Sequence, residues 1–274
     1  MGKSVLITSC KGGVGKSTVS CNLAVALAQM YAPIRKKARN IYSDITEINK
    51  KILIIDCDFG VRSLDLFLGV EDENIYDLSD VLEGNVSLEE AVRKVEGMNN
   101  LFVLAAPMEY NASTFPEDKF IELVNDAKNE YEYVILDSAP AHAQSFYTAQ
   151  KASDSAILIT TSSACSLRAA AKTCGELVSL GCENVRLVIN MFEPKRILKK
   201  EFSGIMQSIE TSGAQLIGII PYDDVISIKQ EKGQPLDFKK DKLAKYFNEL
   251  AQRVVGFNIP LPKKIVGIRT RRLF

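Results

Sequence analysis

The stretch "CKGGVGKSTVSCNLA", residues 10–24, gathers glycines, lysines and hydroxyls at a spacing suited to phosphate chemistry. Gly12, Gly13 and Gly15 let the backbone bend with its N–H groups turned inward. Those donors and the helix that follows, with Val14 in the same loop, form a cradle for phosphate oxygens. Lys16 would neutralise the β- and γ-phosphates of a nucleotide, and Ser17 would give its hydroxyl to Mg²⁺. Thr18 can reach the α-phosphate. The usual spacing, G-x-x-x-x-G-K-[ST], asks for a glycine at position 10, where this chain has Cys10. A second lysine, Lys11, comes next. It cannot share the position of Lys16 and must point elsewhere.

Carboxylates complete such a site. Asp56 and Asp58 stand two residues apart at the end of "KILIIDCD". On an extended segment they point the same way. One can hold the Mg²⁺ shell while the other orients or activates a water. Asp137 ends the apolar run "YVILDS", which delivers a carboxylate to a strand tip as an outer Mg²⁺ ligand requires. His142, the one histidine, lies just beyond and reads as a loop or packing residue.

The elements that must position these groups are legible as apolar runs. Strands are expected at 4–9, 51–56, 101–106, 133–138, 155–161, 185–190 and 215–220. Each is nearly continuously apolar, as strands covered on both faces are. Helical patterns lie between them, at 17–30, 117–130, 166–180 and 241–255. The last puts Leu243, Phe247, Leu250 and Val254 on one face, with Gly256 closing it. The alternation predicts an α/β fold, a doubly wound and mostly parallel sheet with helices on both faces. Ligands of such sheets bind at the carboxyl ends of the strands.

Of the 274 residues, 46% are apolar, enough for one large domain. That domain is expected to span residues 1–256, with an insert at 31–50 and a basic tail at 257–274. Lys and Arg number 34 against 34 Asp and Glu, which argues against nucleic acid bound through bulk charge. No apolar run reaches the ~18 residues of a membrane-spanning helix, and the first is too short for a signal peptide. The six cysteines form no C-x-x-C pair, so reduced thiols in the cytoplasm are expected.

"KGGVGKST" resembles the deviant Walker A loop of the MinD/ParA group of P-loop ATPases. That resemblance implies Mg²⁺-dependent hydrolysis of ATP to ADP, and a homodimer in which Lys11 reaches the partner's phosphates. "DCDFGVRSLD" resembles the MinD branch, whose switch I runs D-x-D-x-G-x-R-x-L-D. Asp56, Asp58, Gly60, Arg62, Leu64 and Asp65 match it. By that likeness Asp58 positions water, and Asp56 supports the metal and phosphate region. Switch II departs: Asp137-Ser138-Ala139-Pro140 is more similar to the arsenical-pump and tail-anchored-protein ATPases. "VRLVINMF" and "IGIIPYDDVISIKQEKGQPL" resemble the family's base pocket. There Asn190 would hydrogen-bond adenine, flanked by Pro221, Tyr222 and Asp223. A helix cap or turn is the other reading of that asparagine.

The resemblance covers 3–255 outside the insert. It implies a positioning ATPase of the division site, switched by an activating or regulatory protein and peripheral on the inner face of the cell membrane. The tail "KKIVGIRTRRLF" carries five cations and no acid, a composition that favours anionic lipid. A helical wheel interleaves its basic and apolar residues, so a disordered tail is the other reading. The alternatives in function are a polar-flagellum number regulator and a nucleotide-gated carrier or maturation ATPase.

Overall fold

A computed structural model describes residues 1–9, 11–32, 50–59, 61–71, 76–108, 115–141 and 143–274. Cys10, Gly60, His142 and residues 33–49 of the insert lie outside the described residues.

The elements run β1 (Lys3–Thr8), α1 (Lys16–Met30), β2 (Lys51–Cys57), α2 (Leu64–Leu68), α3 (Leu78–Glu83), α4 (Leu88–Ala91), β3 (Arg93–Lys94) and β4 (Leu101–Leu104). There follow α5 (Glu117–Glu130), β5 (Tyr131–Ser138), α6 (Gln144–Lys151), β6 (Ser155–Thr160), α7 (Ala164–Ser179), β7 (Val185–Phe192), α8 (Pro194–Leu198) and α9 (Ile205–Ser212). The chain closes with β8 (Gln215–Pro221), α10 (Val225–Gln230), α11 (Ala244–Val255), β9 (Lys264–Ile265) and β10 (Ile268–Arg269). All seven strands expected from the apolar runs are present.

Among the described residues, one sheet of eight strands has the order β3-β4-β2-β5-β1-β6-β7-β8. Every pairing is parallel except β3 with β4. Strand β2 shows why the apolar runs are continuous. Ile52 and Ile54 face a core shared with α1 and α11, whereas Leu53 and Ile55 face one shared with α5 and α6. Burying each such side chain is worth about 1.5–3 kcal/mol. That burial helps to carry Asp56, at the same strand's end, into full burial. Helix α1 is covered on nearly all sides from Val19 to Ala28, so the phosphate loop starts from a rigid base.

A third core joins β6, β7 and β8 to α7, α9 and the chain's last residues. The tail does not extend away; it folds back as a short hairpin followed by a 3₁₀ turn over Thr270–Arg272. Strands β9 and β10 form a hairpin whose turn is Val266-Gly267, with φ of +45° and +79°. Positive φ at both turn residues matches the twist of the flanking strands. Ile265 and Leu273 are fully buried, and the Leu273 carbonyl accepts from Ile205 N at 2.7 Å, capping α9. Arg253 holds the approach to this hairpin, donating to the carbonyls of Ile259 at 2.8 Å and Pro260 at 3.0 Å. It also donates to Ile217 on β8 at 3.2 Å, where the register with β7 shifts.

Candidate functional site

The phosphate loop links β1 to α1 at the carboxyl edge of the sheet. Gly15 has φ of +82°, and a Cβ there would lie 2.3 Å from Asn190 Nδ2. Glycine satisfies both the backbone and the space. Asn190, at the far end of β7, donates that Nδ2 to Val14 O at 2.8 Å. The base-pocket asparagine expected from the sequence thus braces the loop. Helix α1 opens on Gly15 with no side-chain cap. Its first N–H groups therefore look to an anion.

Lys16 is buried and lies 3.3 Å from Asp137 Oδ1 and 3.7 Å from Asp58 Oδ2. Its Nζ is also 3.4 Å from Ser17 Oγ. The register of β2 on β5 sets Asp56 beside Asp137. Asp56 Oδ1 accepts from Asp58 N at 2.9 Å, and Oδ2 from Ser63 N at 3.0 Å and Leu64 N at 3.2 Å. The carboxylate so holds the start of α2. Arg62 Nε donates to Asp65 Oδ2 at 2.6 Å on the same turn.

Two carboxyl groups, Asp137 and Asp58, thus pair with one ammonium, and Asp56 adds its charge beside them. Burial, then the charge of Asp137, push the Asp56 carboxyl up to about 7, against the amides of Asp58 and Leu64 and the attraction of Lys16. Burial likewise raises the Asp58 carboxyl, while Lys16 pulls it back. Burial lowers the Lys16 pKa, but Asp137, Asp58 and Asp56 outweigh it and hold the ammonium above its ordinary value. Asp137 Oδ2 is buried and has no hydrogen-bond partner among the described residues. An orphaned carboxylate oxygen, the Ser17 hydroxyl and surplus negative charge form an oxygen donor set that fits Mg²⁺.

The structure therefore brings Lys16, Ser17, Asp56, Asp58 and Asp137 together, with Asn190 behind the loop. Pro221 is buried at the end of β8, and Tyr222 is exposed. Asp223 Oδ1 accepts from Val225 N at 3.0 Å, and Tyr222 Oη donates to Asp224 at 2.6 Å. These groups organise the start of α10. Thr18 Oγ1 donates to Gln230 Oε1 at 3.2 Å. Two participants, Ser20 and Gln230, were not singled out in the sequence. Ser20, four residues after Lys16, lies one turn along α1 on the same face, a signal that could have found it. Gln230 carries no such signal.

Known proteins resemble the chain over most of its length. A family model described as an AAA domain matches residues 36–179, and one described as a NUBPL iron-transfer P-loop NTPase matches 1–34. A putative septum site-determining protein MinD of Guillardia theta is 32% identical over 241 residues, spanning 88% of this chain and 83% of that protein. The chain belongs to the MinD family. It is a P-loop ATPase of that family. MinD in the MinC:MinD cell division protein complex of Aquifex aeolicus superposes with a TM-score of 0.82 at 29% identity, covering 95% of this chain and 98% of that one. MinD of Pyrococcus horikoshii, solved with Mg-ADP, superposes at 0.77 with 26% identity, covering 93% and 97%. The doubly wound sheet expected from strand and helix alternation is the MinD fold.

Proposed function

We propose that this chain is a dimerising ATPase that places the division site, with ATP gating its attachment to a membrane. The observation that carries the reading is the division of labour between two lysines of one loop. Lys16 is buried among three carboxylates, whereas Lys11 is exposed and has no ion pair among the described residues. A cation held outside its own site is available to a second copy's phosphates, with the logic of an arginine finger.

In this reading ATP lies along the loop, its phosphates on the amides of residues 12–18 and on Lys16. Ser17 and Asp137 would hold Mg²⁺, with Asp56 behind them. When bound, the ion neutralises charge on the β- and γ-phosphates. Asp58, at the open side of Lys16, orients water for attack on the γ-phosphorus. Lys11 of the partner copy steadies the charge that moves toward ADP. Pro221 and Tyr222 flank the base. Asn190 acts on it indirectly, through the loop it braces.

A regulatory protein of the kind seen with the Aquifex MinD, namely MinC, is the natural partner class. Five cations of the tail, Lys263, Lys264, Arg269, Arg271 and Arg272, are exposed, together with Val266 and Phe274. They would meet anionic lipid while Ile265 and Leu273 stay in the core.

The test compares Lys11→Ala with Asp58→Ala. Lys11→Ala should bind nucleotide as a monomer and fail to dimerise with ATP by light scattering. Asp58→Ala should accumulate dimer without releasing phosphate. Mixing them should restore some activity, because one composite site then holds an intact Lys11 and an intact Asp58. ATP-dependent dimers and full turnover from Lys11→Ala alone would sink the reading. Sedimentation with vesicles of phosphatidylglycerol, with ATP and with ADP, tests the membrane step.

A further inference from the structure

Two left-handed turns touch at the flank of the site. Gly69 ends α2 with φ of +68°, and Gly233 lies beyond α10 with φ of +60°. A Cβ on Gly69 would stand 2.5 Å from Gly233 O, and one on Gly233 would stand 2.9 Å from Gly69 Cα and 3.1 Å from Leu66 O. The obstacles are backbone on both sides, so neither can yield as a flexible side chain would. The end of α2 and the segment after α10 meet main chain to main chain.

Each turn is anchored to a different part of the site. On one side, Asp56 holds the start of α2 through Ser63 N and Leu64 N. The helix has only five residues, so its two ends move together. On the other side, Gln230 accepts from the Thr18 hydroxyl at 3.2 Å, and Leu236 N donates to Asn22 Oδ1 at 3.2 Å. Asn22 Nδ2 in turn donates to Thr18 O at 2.9 Å. Gly233 N closes on Gln230 O at 3.0 Å. The contacts form a ring: α1, Gln230, Gly233, Gly69, α2, Asp56, then Asp58, whose N donates to Asp56 Oδ1, and back to α1 through Lys16.

We propose that Gly69 and Gly233 are positioning residues whose backbone contact transmits the state of Thr18 to the Asp56 and Asp58 carboxylates. The inference rests on the proposed roles of those two carboxylates. A nucleotide whose α-phosphate takes the Thr18 hydroxyl removes the donor that holds Gln230. The 230–236 segment then resettles, and Gly233 carries α2 with it. Neither glycine touches substrate. Their contact sets where the hydrolytic carboxylates stand, as one two-position element biased from two sides.

Two kinds of substitution separate contact from strain. Gly233→Asn keeps a residue that tolerates left-handed backbone but adds the obstructing Cβ. Gly84→Ala adds backbone strain at φ of +81°, no less than an asparagine would, with nothing within 4 Å of the new Cβ. The expected result is that Gly233→Asn and Gly69→Asn hold nucleotide within about threefold of the parent Kd while kcat falls about tenfold or more. The double variant should lose little beyond either single one. Gly84→Ala should lower the unfolding midpoint and leave kcat alone. Asp58→Ala is measured beside them. If it is inactive and Gly233→Asn turns over normally, the joint is overturned and the Asp58 role stands. If Asp58→Ala hydrolyses ATP normally, both fall. Hydrogen exchange on the unaltered protein needs no variant to fold. A non-hydrolysable ATP analogue should change protection of 64–70 and 230–236 together. A change in one segment alone overturns the proposal.

Discussion

Ser20 Oγ lies 2.6 Å from Asp137 Oδ1, and the other oxygen of that carboxylate has no partner among the described residues. A buried carboxylate is thus pinned on one side by the phosphate-loop helix and left open on the other. The pinned side fixes its direction, and the open side is what a metal-bound water can use.

Removing the pin should loosen the direction. Ser20→Ala leaves Oδ1 with Lys16 alone, inside a fully buried setting. The loss of a charge-assisted hydrogen bond costs about 1.5–3 kcal/mol. The unfolding midpoint should drop, and half-maximal turnover should need more Mg²⁺. A Mg²⁺ titration of phosphate release, run beside a melting curve, reads both.

Lys16→Gln keeps much of the side chain's length and removes its charge. Asp137, Asp58 and Asp56 lose the cation beside them, and in the proposed site ATP would lose its principal counter-charge. Turnover should fall at least ~10²-fold, and fluorescent-nucleotide binding should weaken with it. Unchanged affinity and rate would remove Lys16 from the phosphate site.

Asn190→Ala deletes the donor to Val14 O and opens space beside Gly15. The loop is then free to sag from its glycine-built shape. Nucleotide affinity should fall roughly tenfold, equivalent to about 1.4 kcal/mol, with ATP and with GTP alike. Loss of preference between those nucleotides, without loss of affinity, would instead assign Asn190 to the base.

Asp154 gives the fold an acid-sensitive tie. Burial alone would raise its carboxyl, but Ser4 N at 2.8 Å and Lys128 Nζ at 3.1 Å hold it below the ordinary 3.8. A depressed folded-state value adds stability above the unfolded pKa and loses it as pH falls through the folded one. Asp154→Asn should therefore melt earlier than the parent near neutral pH. The gap should narrow as the solution is acidified below the ordinary carboxylate range. A gap that widens in acid would contradict the assignment.

Leu273→Ala tests the seat of the tail. The side chain is fully buried against α9 and the β6–β8 face, so its truncation should cost about 2–5 kcal/mol. A thermal or urea melt of the full chain measures it. A stability change under ~0.5 kcal/mol would mean that the tail is not held as described.

The sheet was readable in the sequence because both faces of its strands are covered. Alternate residues such as Ile54 and Ile55 serve opposite cores, and the resulting apolar runs are hard to mistake. The site's charged groups were readable because each ends such a run or stands in the glycine loop. The tail was not. Its two-residue strands are too short for a period, and a helical wheel misreads side chains that alternate across a hairpin. The Gln230 and Gly69–Gly233 contacts were out of reach for another reason. They join segments more than 160 positions apart, and no local pattern records that two turns will touch. The MinD likeness singled out Asn190 as a base-pocket residue, but not the use of its amide on the loop.

The ends of the sheet carry a consequence for behaviour in a crowded solution. At one edge, β3 is only the pair Arg93–Lys94, run antiparallel. At the other, β8 breaks register beside Ile217, whose carbonyl is occupied by Arg253. A strand from another molecule needs a straight run of free N–H and C=O groups to dock. Among the described residues, a short charged pair and an interrupted, capped strand offer poor templates for it. The parallel sheet is long, apolar and, in an opened form, prone to such pairing, yet its folded edges resist ribbon growth from copy to copy.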